Sequence, residues 1–154
     1  MDVELAKPFI KAAVDVLQTM AFIQPKAGKP FVKKNNAAQG DVTGLVGLTT
    51  SDGRRGSVSI SFTKSAAVAI VKNMLGDEIQ DIMQDVKDAV GEIVNMVSGQ
   101  ARAGLAQQGL TFAGSTPTVI MGDNHTISHV AKTPIMAIPF TTESGAFTIE
   151  FCFE

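Results

Sequence analysis

The chain has 154 residues, 45% of them apolar, and its 13 basic and 15 acidic side chains leave a net charge of −2. That size and apolar share suit one compact domain spanning 1–154, and the near-neutral charge excludes the broad positive field that holds a nucleic-acid backbone. Cys152 is the single cysteine, which leaves no internal disulfide, zinc ribbon or redox pair and fits a reducing compartment. The acidic start Met1-Asp2-Val3-Glu4 leads into no apolar signal region, and no stretch approaches the ~20 apolar residues of a membrane span. A soluble, cytoplasmic protein is expected.

In chain order, Phe9, Ala13, Val16, Leu17 and Met20 fall at helical spacing between Pro8 and Phe22, and Pro8 belongs in a first turn. Pro25, Gly28 and Pro30 break that pattern, and Lys26, Lys29, Lys33 and Lys34 read as a solvated loop and edge strand. Residues 42–50 suit a strand, Asp52-Gly53 a tight turn, and Val58, Ile60 and Phe62 alternate with Ser57, Ser59 and Ser61. This predicts a hairpin with one buried face. Thr63 or Ser65 can cap a short helix that ends at Gly76. A long helix is expected from about Glu78 to about Gln107, stopped by Gly109. Strands follow at 118–121, 135–140 and 147–153. The fold class is α+β, helices packed on a mostly antiparallel β-sheet.

The long helix carries two opposed stripes. At about 100° per residue, Asp81, Asp85, Asp88, Glu92, Asn95 and Gly99 gather on one side and Ile82, Val86, Val90, Ile93 and Val97 on the other. Glu92 and Asn95, three apart, are neighbours on the surface. Asn and Gly are poor helix-interior residues. Gly99, one turn beyond Asn95, leaves that face unobstructed for an approaching partner, whereas Gly104 points to the apolar side, where close packing accounts for it. The acidic row reads as a solvated face or, at most, as part of a docking surface. His125 and His129 are four apart but lie among loop or strand signals and read as surface residues. There is no nucleophile elbow, P-loop or dinucleotide fingerprint.

The run Asp88-Ala89-Val90-Gly91-Glu92-Ile93-Val94-Asn95-Met96-Val97-Ser98-Gly99-Gln100-Ala101 resembles the active-site helix of the CheX family of chemotaxis phosphatases and its relatives CheC and FliY. The likeness extends to 56–62, to Asn73-Met74-Leu75-Gly76, to 116–122 and to 138–142. CheC-type proteins carry a second E-x-x-N, and the first helix here offers only Glu4 with Lys7 and Asp15 with Gln18. The single motif favours CheX.

The resemblance implies a phosphatase that cleaves the aspartyl phosphate of a CheY-like response-regulator receiver. Asn95 would hold the attacking water, as a Gln does in GTP hydrolysis, and Glu92 would pair with the receiver's lysine. Asp88 and Gly99 would belong to the docking face. No cofactor or metal of its own is implied, since the receiver brings Mg²⁺, and a homodimer is expected. The alternative is a non-catalytic adaptor that docks on a receiver or on a signalling or flagellar component.

Overall fold

The structure, a computed structural model, describes residues 3–33, 40–122 and 134–153. Its first helix, α1 (Val3–Ala21), buries Ala6, Phe9, Ala13, Val16 and Leu17 along one stripe. It starts a turn and a half before Pro8, which therefore stands inside the helix and not in its first turn. Proline has no N–H for the carbonyl four residues back, and here the side-chain amide of Gln108 donates to that Glu4 carbonyl at 3.0 Å. The substitute donor is what makes an interior proline tolerable. The Pro8 ring also packs at Gly104, where a Cβ would lie 2.8 Å from the proline Cβ, so the glycine sets how closely the two helices cross.

Short strands β1 (Lys26–Ala27) and β2 (Phe31–Lys33) follow, then the hairpin of β3 (Val42–Thr49) and β4 (Arg55–Phe62). Its turn closes through Thr50 N–H donating to Arg54 O at 2.9 Å, with Gly53 at φ +89°, a conformation that glycine adopts without penalty. Helix α2 (Lys64–Leu75) is capped by Thr63, whose Oγ1 accepts from Ala66 N–H at 3.3 Å, and it ends at Gly76. A 3₁₀ turn over Gly76–Glu78 separates it from α3 (Ile82–Gln107). Strands β5 (Ala113–Gly114), β6 (Thr118–Met121), β7 (Ile135–Thr142) and β8 (Gly145–Phe153) complete the described chain.

Every strand pairing among the described residues is antiparallel, in the order β1-β7-β8-β4-β3-β5, with β2 also on β7 and β6 also on β3. Period-2 alternation puts Val58, Ile60, Phe62, Ile138, Phe140, Phe147, Ile149 and Phe151 on the face that meets the helices. Phe9 of α1 stacks on Phe151 at 4.5 Å between ring centroids, and Phe140 stacks on Phe147 at 4.6 Å.

The other face departs from the sequence expectation. Ser57, Ser59, Ser61 and Thr43 are buried, not solvated. Small hydroxyls pair there with one another and with β8: Thr43 Oγ1 lies 2.8 Å from Ser61 Oγ, and Ser57 Oγ 3.4 Å from Cys152 Sγ. Lys33, expected in a solvated edge, is also buried, with its Nζ 2.8 Å from Glu150 Oε2. The hairpin therefore has an apolar face and a polar face, and both are buried. No helix among the described residues is long and apolar enough to cross a membrane.

Candidate functional site

Helix α3 is anchored at its start by two carboxylates. Asp81 is its N-cap, accepting from the N–H groups of Met83 and Gln84, while Asp85 reaches back to accept from Gln80 and Asp81 N–H at 2.9 and 3.3 Å. These two acids satisfy free helix donors. They act as caps and not only as a solvated face. The helix begins at Ile82, four residues later than the periodicity suggested, because the 3₁₀ turn and Asp81 interrupt it.

Beyond the caps the stripes hold. Val86, Val90, Ile93, Val94 and Val97 are buried against the sheet, whereas Glu92 and Asn95 are exposed. Ile82 is the exception on the apolar side, 42% exposed at the first turn. Glu92 and Asn95 have no side-chain hydrogen bond among the described residues. Both are presented outward by a helix whose underside is fixed in the core.

The outward face of α3 forms one wall of an open cleft of about 650 Å³, lined by Asp88, Glu92, Asn95 and Arg102 and, opposite them, by Ser115 and Thr116. The opposite wall is tied to β3: Ser115 N–H donates to Gly47 O and Gly47 N–H to Ser115 Oγ, both at 2.9 Å. Asp88 accepts from the Gln84 side-chain amide at 2.9 Å. The cleft thus sets Asp88 and Glu92, with Lys87 beside them, and a neutral amide toward one end and a guanidinium toward the other.

Of the residues singled out in the sequence, Asp88, Glu92 and Asn95 come together in this cleft. Gly99 is half-buried and does not line it, but sits beside the Arg102 side chain. His125 and His129 lie outside the described residues. The sequence reading missed Arg102 and the 114–117 wall. Arg102 was within reach of the same reasoning, since it follows Asn95 by seven residues and so returns to the same stripe. The wall was not, because its place opposite the helix depends on β5 pairing with β3.

Chemically, a carboxylate and a carboxamide three residues apart are offset by about 4.5 Å along the helix axis. That spacing can engage a cation and a water side by side. The amide can donate and accept at once but cannot serve as a base at neutral pH. Among the described residues no three His, Cys, Asp or Glu side chains gather to hold a metal ion, and Cys152 is buried.

The family model for the chemotaxis phosphatase CheX matches residues 42–141, the stretch that holds α3 and both walls of the cleft. The CheY-P phosphatase CheX of Thermotoga maritima is 27% identical over 123 residues, covering 79% of this chain and 78% of that protein. The structure is similar to that of a CheX chemotaxis protein from Desulfovibrio desulfuricans, with a TM-score of 0.92 and 62% identity over 98% of this chain and 99% of the other. It also resembles CheX in the CheX–CheY–BeF₃–Mg²⁺ complex of Borrelia burgdorferi, with a TM-score of 0.79 and 24% identity over 99% of each. With its model matched across most of the chain and the E-x-x-N helix exposed in the cleft, the protein belongs to the CheX family.

Proposed function

We propose that this protein is a phosphatase for the aspartyl phosphate of a CheY-type response-regulator receiver, with Asn95 orienting the attacking water and Glu92 pairing with a receiver lysine. The observation that carries this reading is the condition of the two side chains. Both are exposed, unengaged among the described residues and one turn apart on a helix whose other face is buried. Positions held that firmly can supply orientation without a nucleophile.

In the reaction, a water oxygen bonds to phosphorus as the bond from phosphorus to the receiver's aspartyl oxygen breaks. The products are the free carboxylate and inorganic phosphate. The Asn95 carboxamide accepts one hydrogen bond from the water and keeps a lone pair in line, the role given to a glutamine in GTP hydrolysis. Glu92 supplies a charge-assisted contact that fixes the register of the two proteins. Asp88 adds to the acidic docking face, and Gly99, one turn beyond Asn95, adds no side chain to it.

The divalent ion belongs to the receiver in this reading. The Borrelia relative was captured with CheY, beryllofluoride and Mg²⁺, which supports a metal carried by the partner. The test is to phosphorylate receivers from the same organism with acetyl phosphate and follow phosphate loss with and without the protein. Acceleration supports the enzyme. Binding without acceleration would make the protein an adaptor.

A further inference from the structure

We infer that Arg102 is a docking residue of the cleft whose guanidinium receives a carboxylate of the receiver beside its phosphorylation site. The inference rests on the function proposed above and names a contact that neither Glu92 nor Asn95 can make.

The side chain is held in a built seat. A Cβ on Gly114 would lie 2.8 Å from Arg102 Cζ, 2.9 Å from Nε and 3.1 Å from Nη2, so the guanidinium rests against a strand residue that has no side chain. On its other side, a Cβ on Gly99 would be 3.9 Å from Nη2. The charged group therefore lies against β5, with its tip level with Gly99, about 6 Å along the helix axis from Asn95. Nε is buried and donates to no acceptor, and Arg102 has no ion pair among the described residues. The terminal nitrogens are left as the edge that faces the cleft.

A guanidinium matches the two oxygens of a carboxylate and retains its charge at any working pH. Its position also adds to a pattern of charge. Asp88 and Glu92 outnumber Lys87 along the first half of the cleft, and Arg102 stands at its far end. A receiver that offers a lysine to Glu92 and an acid to Arg102 is favoured in one orientation, because reversal sets that lysine against Arg102 and that acid against Glu92.

The experiment uses the full chain and a CheY-type receiver from the same organism, activated with beryllofluoride and Mg²⁺ for binding and with acetyl phosphate for turnover. Arg102→Ala is expected to raise Kd and KM about tenfold with kcat nearly unchanged, and to flatten the salt dependence of binding. Arg102→Lys should recover part of the affinity. Gly114→Ala, which pushes the guanidinium from its seat without removing it, should weaken binding in the same direction. Unchanged binding in Arg102→Ala would overturn the inference. So would a loss shared by Arg102→Ala and Arg102→Lys together with a lowered Tm, which would mark a structural role. A fall in kcat at constant KM would place the guanidinium on the phosphoryl group and also reject the carboxylate assignment. Asn95→Ala separates the two levels: full turnover in that variant defeats the proposed mechanism, while the binding measurements still decide Arg102.

Discussion

Gly44 of β3 lies directly beneath Val94 of α3, so close that a Cβ on residue 44 would be 2.4 Å from Val94 Cγ2. Val94 is fully buried between the two motif residues in sequence, so this contact sets the height of the Glu92–Asn95 turn above the sheet. Gly44→Ala should lift that turn and destabilise the protein by about 1–3 kcal/mol, the usual range for overpacking a core. Val94→Ala added to Gly44→Ala should recover part of the loss, since the two methyls removed from Val94 make room for the one added at residue 44. Thermal unfolding of the single and double variants checks this.

Lys33 and Glu150 pair at 2.8 Å with their side chains 2% and 0% exposed. Removing one partner leaves the other's charge without its counter-charge in a buried site. Lys33→Met is therefore expected to lower stability by about 3–5 kcal/mol, and Lys33→Met with Glu150→Leu by clearly less. Urea unfolding midpoints of the two variants decide the order.

Asp52 in the β3–β4 turn accepts hydrogen bonds from Thr50 Oγ1 and then from Arg54, and these hold its carboxyl below the ordinary aspartate range. A depressed folded pKa means that the contribution to the turn is present above the unfolded value and is lost as pH falls through the folded one. Asp52 should therefore keep its charge to lower pH than an ordinary aspartate as acid is added. An NMR pH titration would follow it, and Thr50→Ala should move its midpoint up.

Association is the next expectation. We propose that the protein forms a homodimer at micromolar concentration, with twice the 16.2 kDa chain mass by light scattering. Cys152 is buried, so Cys152→Ser should dimerise equally well in reducing buffer. A monomer mass would remove the dimer without touching the cleft, whose described walls come from a single chain.

Much of this was readable in the residues because local signals and tertiary packing agree. The Asp52-Gly53 turn, the Thr63 cap and the alternation of β8 each act over a few residues. The opposed stripes of α3 follow from a helical period that burial then enforces. What escaped depended on distant partners. Gln108, a hundred residues from Glu4, makes an interior Pro8 acceptable, and Glu150 turns Lys33 from a surface charge into a buried one. The serines of β4 were misread because alternation with polar residues reports two chemically distinct faces, not which of them meets water. Likewise Asp81 and Asp85 shared the helical face of Glu92, but they satisfy backbone donors at the helix start, which periodicity alone does not register.

The measurement that bears most directly on the central claim is single-turnover dephosphorylation of the cognate receiver by wild type, Asn95→Ala and Glu92→Ala, with circular dichroism to confirm folding. Both positions are exposed and away from the caps, so stability should move by less than about 0.5 kcal/mol. Asn95→Ala is expected to bind the receiver normally yet turn over about 10²-fold more slowly, the scale of removing one preorganised polar group. Glu92→Ala is expected to weaken the complex, and Glu92→Lys to weaken it further by setting like charges together. Wild-type rates in both folded alanine variants would contradict the account and make the Glu92-x-x-Asn95 pair incidental to turnover.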